Sequence, residues 1–279
     1  MSGVSRPAGL LRLVELLRPV RDLQRSVDFY TDALGFTAEP ETGFDADLLA
    51  PAWGRRPLAF ARLRLGRQSL LLAACECDES PPDDGATDPR FQHIAIVTRD
   101  MAAAWSRVAA RRPAAIGQGG PQRLPEASGG VAAVKFRDPD GHPLELIEFP
   151  AARLPERWAG PAGDITLGID HSAIGVADAD RSIDFYRAAF GLRQQARQVN
   201  RGPEQGRLDG LDAPVVEVVA LAPPQPSPHL ELLAYRLATP APRASVPAGP
   251  RAITLWAGGT DVSPHLLTDP DGHTHLRLP

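Results

Sequence analysis

The chain has 279 residues, 43% of them hydrophobic and 23% charged, and its 30 basic side chains against 34 acidic ones leave a formal charge of -4. This is an ordinary globular composition, and the 25 glycines and 29 prolines stay below the level at which disorder is the default. No run of about 18 apolar residues exists to span a bilayer, and Arg12, Glu15 and Arg18 interrupt the N-terminal apolar segment as no secretory leader would. A cytoplasmic protein with no membrane partner is therefore expected.

In chain order, the apolar run LVELLRPV (13–20) predicts a buried first strand. Val27, Tyr30 and Leu34 then recur at helical spacing, with Ser26 as the expected N-cap and Gly35 as the stop. Strands are predicted over 58–65 and 69–74. The pattern restarts at HIAIVT (93–98), with a helix over 101–110 and strands over 131–136 and 144–149. It restarts again at HSAIGV (171–176), with a helix over 182–190 and strands over 215–221 and 230–235. A fourth start, AITLWA (252–257), runs almost directly into strands over 262–267 and 275–278, so the fourth unit is expected to lack its helix.

Two internal repeats support this division. SVDFYTDALGF (26–36) reappears as SIDFYRAAFGL (182–192) with six identities in eleven positions, and DPDGH (138–142) reappears at 269–273. The chain reads as two homologous halves. The first, 1–150, holds units 11–78 and 91–149; after a linker, 151–167, the second, 168–279, holds units 168–236 and 251–279, the last truncated.

Lysine occurs once, at Lys135; every other basic residue is arginine, spread among equally spread acids, which is no nucleic-acid footprint. Cys75 and Cys77 would share one face of a strand at a spacing too short for an ordinary disulfide, so reduced thiols are expected, and two cysteines exclude a four-cysteine zinc site. The repeated Asp-Pro-Asp-Gly lacks the spaced carboxylates of a calcium loop and is expected to be a hairpin turn, with His142 and His273 at its rim. Gly117, Gly119 and Gly120 follow no strand and open no helix, so they form no dinucleotide fingerprint; a G-x-S-x-G elbow and a phosphate loop are also lacking.

The strand-plus-helix opening (DHSAIGVADADRSIDFYRAAFGL) and the closing hairpin (FRDPDGHPLELIEF) resemble the vicinal oxygen chelate superfamily, which includes glyoxalase I, extradiol dioxygenases, methylmalonyl-CoA epimerases and bleomycin or fosfomycin resistance proteins. The resemblance covers about residues 11–279 and implies an α+β fold of four βαβββ units, paired into curved sheets around a central cup. It also implies that metal ligands come from fixed places on the first and last strands of a unit. Internal alignment puts those places at Glu15, His93, His171 and Ile253 or Thr254, and at Leu71, Glu145, Glu231 and Leu276.

Strand alternation puts Glu145 on one face with Ile147 and Phe149, and Glu231 with Leu233 and Tyr235. A carboxylate on such a face is costly unless it meets a cavity, a cation or a metal. Two His and two Glu at equivalent places in two repeats suit a divalent ion such as Fe, Ni, Zn, Mn or Co. If neighbouring units pair, one site would hold Glu15, His93 and Glu145 and the other only His171 and Glu231. If units two and three pair, and one with four, a single site holds His93, Glu145, His171 and Glu231; this arrangement is favoured, with Glu15 a structural or second-ligand residue in the degenerate cup. His229, two residues before Glu231, is either a group that supports the site or an exposed strand-start histidine. His265 and His275 receive no role.

Three functions are open at this point. The first is a metal-dependent glyoxalase-type isomerase, epimerase or lyase acting on a small substrate with adjacent oxygens through an enediolate, with Glu145 or Glu231 as the base. The second is an Fe(II) extradiol-type dioxygenase using His93, Glu145 and His171. The third is a non-enzymatic drug-binding protein, for which the degenerate cup, widened by its missing helix, is the expected site. Because all four units lie in one chain, a monomer is expected, with a homodimer as the alternative.

Overall fold

The computed structural model describes residues 9–40, 43–76, 87, 91–159, 164–224, 228–236, 249–259 and 263–279. The first unit contains β1 (Gly9–Val20), α1 (Leu23–Leu34), β2 (Thr37–Glu39), a one-turn helix α2 (Ala50–Trp53), β3 (Ala59–Leu65) and β4 (Gln68–Ala74). The second contains β5 (Gln92–Thr98), α3 (Met101–Ala109), β6 (Gln122–Arg123), β7 (Ala132–Arg137) and β8 (Pro143–Glu148). The third contains β9 (Thr166–Gly175), α4 (Ala179–Phe190), β10 (Arg193–Arg201), a short helix α5 (Pro203–Asp209), β11 (Val215–Ala222) and β12 (His229–Arg236). The fourth has β13 (Ile253–Gly259), β14 (His265–Thr268) and β15 (Thr274–Leu278), with no helix among the described residues. The predicted start of its second strand, Val262, lies outside the described residues. No helix among them is long and apolar enough to cross a membrane.

Helix α1 begins one turn before the predicted cap Ser26, and α4 begins ahead of its predicted start at Ser182. Asp22 and Asp178 take the N-cap positions, each accepting from the backbone N–H three residues on, at Arg25 and Arg181. The serines are thereby released for contacts with the rest of the chain. Gly35 and Gly191 end the helices in the left-handed conformation. Cys75 also departs from expectation: it stands in a disulfide. Strand β4 ends at Ala74, so the extended geometry assumed for the thiols does not reach Cys75; Cys77 lies outside the described residues.

The strands form two sheets. One is β14-β15-β13-β1-β4-β3-β2, from units one and four; the other is β10-β11-β12-β9-β5-β8-β7-β6, from units two and three. The main apolar core lies between their outer faces. Tyr30 and Leu34 of α1, Met101 and Val108 of α3 and Tyr186 and Phe190 of α4 pack there against both sheets.

Two polar clasps also join the sheets. The helix of unit one sits on the hairpin turn of unit two, and the helix of unit three on the turn of unit four. In the first clasp, Asp138 accepts from the backbone N–H groups of Asp140 and His142 and from the Tyr30 hydroxyl at 2.7 Å, while Ser26 donates to Asp140 at 2.6 Å. The second repeats it: Asp269 accepts from Asp271, His273 and the Tyr186 hydroxyl, and Ser182 donates to Asp271. His142 and His273 are not rim residues. Each ring Nε2 lies against a backbone carbonyl at the end of the preceding unit's first strand, Pro19 at 2.6 Å and Gly175 at 2.8 Å.

The clasps differ in what stands behind the tyrosine. Arg18, fully buried, donates to Tyr30 and to the Pro143 carbonyl and lies 3.8 Å from Asp138. At the second clasp His275 fills this role. Its Nδ1 accepts from Trp256 Nε1 at 3.2 Å and its Nε2 meets the Tyr186 hydroxyl at 2.9 Å, which itself donates to Asp269. Both ring nitrogens are satisfied with the imidazole neutral, and burial holds its pKa down at about 3. A folded-state pKa below the unfolded one gives stability that is present above the ordinary value of 6.5 and lost as pH falls toward 3. Urea titrations of wild type and His275→Gln should therefore show a stability gap that shrinks by about 2 kcal/mol between pH 7 and pH 5. A gap independent of pH would contradict a neutral His275.

Candidate metal centre

Strands β12, β9, β5 and β8 are neighbours in the middle of the eight-stranded sheet. His93 lies opposite Ala173 and His171 opposite Ala95, while Glu145 stands beside Ala95 and Glu231 beside Ala173. Residues level with one another on adjacent strands share a face. All four side chains therefore enter the concave side of this sheet.

They meet there. His93 Nε2 lies 2.8 Å from Glu145 Oε2 and 3.3 Å from His171 Nε2, and His171 Nε2 lies 3.5 Å from Glu231 Oε2. One donor atom from each of His93, Glu145 and His171 lies within 4.8 Å of the others. The surroundings are apolar: Phe91, Ala173, Val218 and Leu233 on one side, Ala95, Val97, Ile147 and Trp158 on the other. His93 Nδ1 is buried with no hydrogen-bond partner among the described residues. Two imidazole nitrogens and a carboxylate oxygen crowd one point. That donor set fits a divalent cation.

Asp170 supplies what strand alternation could not foretell. The β5–β9 ladder slips here, Ala95 facing His171 but Ile96 facing Ile169, so Asp170 is the extra residue of a β-bulge. The bulge brings two consecutive side chains together, and Asp170 Oδ2 accepts from His171 Nδ1 at 3.1 Å. Its other oxygen accepts from Arg157 at 2.6 Å and from Trp158 Nε1 at 3.0 Å, both in the segment joining the halves. Trp158 reaches it by lying across Gly168, where a Cβ would come within 2.6 Å of the ring. An imidazole whose far nitrogen is held by a carboxylate presents its near lone pair to a metal.

The charges of these groups are set by one another and by burial. Burial lowers the His93 pKa to about 4 despite Glu145. Burial acts the same way on His171, but Glu231 and Asp170 overcome it and raise it to about 9. Burial would raise Glu231, yet the charge of His171 and the hydrogen bond from His229 bring it down to about 2. Glu145 is held below the usual carboxylate range by Lys135 and His93 against its burial. His229 stands 3.3 Å from Glu231 and 3.8 Å from Asp170, so it is a partner of the cluster and not an exposed strand start.

The second cup has lost these chemical groups. By register, Glu15, Leu71, Ile253 and Leu276 occupy the places of His93, Glu145, His171 and Glu231. Glu15 is neutralised by a bidentate pair with Arg62 at 2.6 and 3.0 Å. Leu49 and Trp53, from a segment with no counterpart in the predicted unit, fill the space with Leu17, Leu71, Ile253 and Leu276. The cup expected to be widened by its missing helix is packed with the chain's own side chains. The His265 ring Nδ1 lies 3.4 Å from the Ser263 carbonyl.

The model of the glyoxalase/bleomycin resistance protein/dioxygenase superfamily matches residues 12–146 and 168–260. The chain belongs to this superfamily. Among solved structures, glyoxalase I from Zea mays is 15% identical, with a TM-score of 0.59 over 96% of this chain and 92% of that one. A candidate dioxygenase from Bacillus subtilis is 13% identical, with a TM-score of 0.58 over 97% and 85%. Such identities establish a shared fold. No curated protein sequence matches the chain. As a superfamily member whose concave His/Glu cluster is propped by Asp170, the protein should bind Co²⁺ or Zn²⁺ roughly 10- to 100-fold more weakly after Asp170→Asn. Glu15→Gln should leave affinity unchanged. Calorimetric titration checks both, and a weakened Glu15→Gln protein would point to the other cup.

Proposed function

We propose that the protein is a divalent-metal-dependent glyoxalase-type enzyme, an isomerase, epimerase or lyase, with His93, Glu145, His171 and Glu231 holding the metal. The observation that supports this reading is the convergence of those four side chains in one buried cup. A metal bound there would supply Lewis-acid polarisation of two adjacent substrate oxygens and so acidify the neighbouring C–H bond. The chain's residues supply the rest. Glu231, with its side chain 20% exposed against 8% for Glu145, is the carboxylate better placed to take and return that proton. His229 beside it can pass the proton onward. Glu145, held against His93 and near Lys135, stays ionised. Apolar walls exclude water from the reacting centre.

One observation favours a second reading. Of the two tight three-residue sets, Asp170, His171 and His229 being the other, the more buried is His93, Glu145 and His171, without Glu231. Two His and one carboxylate with open positions suit an Fe(II) dioxygenase of the extradiol type. Glu231→Gln separates the two. Loss of its general base should lower isomerase turnover roughly 10²- to 10⁴-fold, measured on the hemithioacetal of methylglyoxal. Oxygen uptake with Fe(II) and catechol that survives Glu231→Gln would establish the dioxygenase instead, and a wild type that takes up no metal would leave the binding-protein reading.

The cluster is built from β5, β8, β9 and β12 of one chain, so a monomer is proposed to be the working unit. Light scattering should give a mass near 29.9 kDa with full metal content. An obligate dimer that loses metal on dissociation would refute this.

A further inference from the structure

The cluster occupies only part of the concave face. Helix α5 spans the mouth of the same cup, touching β10 at one sheet edge and β6 and β7 at the other. It is fixed there by Arg207, which donates to Gln122 of β6 at 2.7 Å, and by Gly210, whose left-handed backbone passes so close to the Ile116 carbonyl that a Cβ would stand 2.2 Å from it.

Beneath α5 lies a second set of buried polar groups. Lys135, level with Glu145 on the neighbouring strand, donates to Asp209 at 2.7 Å, and both are buried. Gln205 donates its amide N–H to the other Asp209 oxygen at 2.6 Å. That bond fixes the amide orientation, because a flip would set its oxygen against a carboxylate. Gln205 Oε1 is then left without a partner among the described residues, as is Asn200 Oδ1, and the Tyr235 hydroxyl, whose proton is directed to Asp209, keeps its oxygen lone pairs unmet. Asn200 and Tyr235 flank Val216 in one row across β10, β11 and β12, and Tyr235 follows Glu231 on the same face four residues on, roughly 13 Å along the strand. Buried polar atoms without partners are rare in native proteins and cost stability unless something meets them.

We propose that Tyr235, Asn200 and Gln205 form a second recognition subsite, receiving an uncharged, hydrogen-bond-donating part of the substrate, a hydroxyl-rich or amide-bearing tail, while its adjacent oxygens lie at the His/Glu cluster. The proposal rests on reading that cluster as the metal centre. Charge excludes the alternatives. An anionic tail would meet Asp209 and Glu231, with the one nearby ammonium already paired. A cationic tail would find the Asp209 carboxylate already paired with that same ammonium. An apolar tail would leave the two amide oxygens unsatisfied. The substrate class is thus a small chelating compound with a polyol-like or amide tail.

The test uses hydroxamates, which present two adjacent oxygens to a metal, titrated calorimetrically into the Co²⁺-loaded full chain. Gluconohydroxamate should bind about tenfold more tightly than octanohydroxamate, succinic monohydroxamate or 6-aminohexanohydroxamate. Tyr235→Phe and Asn200→Ala should each reduce that advantage about fivefold, with Co²⁺ and acetohydroxamate affinities unchanged. In Co²⁺-loaded protein, tighter binding of the anionic, cationic or apolar tail, or an advantage that survives both substitutions, would overturn the subsite while leaving the metal reading standing. A wild type that takes up no Co²⁺ would overturn the metal reading and this one with it.

Discussion

Two buried carboxylates, Asp138 and Asp269, hold the architecture together. Each is folded into its own turn by two backbone N–H groups and reaches out to a tyrosine on a helix belonging to the other sheet. An unpaired buried carboxylate costs several kcal/mol, so the turn and the helix must find each other in the folded chain. Unit one is thereby bound to unit two, and unit three to unit four, across sheets instead of within them. With those contacts satisfied, the first strands of units two and three are left to pair with each other as β5 and β9, and β1 with β13. The gathering of His93, Glu145, His171 and Glu231 follows from that pairing.

The fold was legible because its repeat units carry both halves of the clasp in local sequence. Ser-x-Asp-Phe-Tyr supplies the hydroxyls and Asp-Pro-Asp-Gly-His the acceptors, so the motif pair marks a tertiary contact. Glu145 and Glu231 were legible because alternation exposes a carboxylate on an apolar face. Asp170 was not, since alternation sends it to the face opposite His171 and only a ladder slip reverses that. Lys135 stood out in the sequence only as the single lysine; its partner Asp209 lies 74 positions away on a helix too short to show periodicity. The same shortness hid α2, whose Trp53 decides that the second cup is full.

The two cups show how little is needed to turn a site into a core. Arg62 and Lys135 occupy equivalent places, level with Leu71 and Glu145. In one cup the cation closes on Glu15 and the remaining ligand places are aliphatic. In the other it is drawn aside to Asp209 on α5, and the histidines and glutamates face one another. Replacing polar ligands by well-packed aliphatic side chains is often neutral or stabilising. The hydrophobic cup therefore adds packing without constraining the chemistry of its counterpart.

The segment between the halves has a further consequence. Through Arg157 and Trp158 it grips the carboxylate that orients His171. Most inter-domain connections tolerate cutting, lengthening or circular permutation because they carry few contacts. Here the chain's continuity is itself part of the cluster's geometry. A polypeptide reopened at this junction would keep both sheets and all four His and Glu side chains of the cup, yet lose the strut that fixes one imidazole.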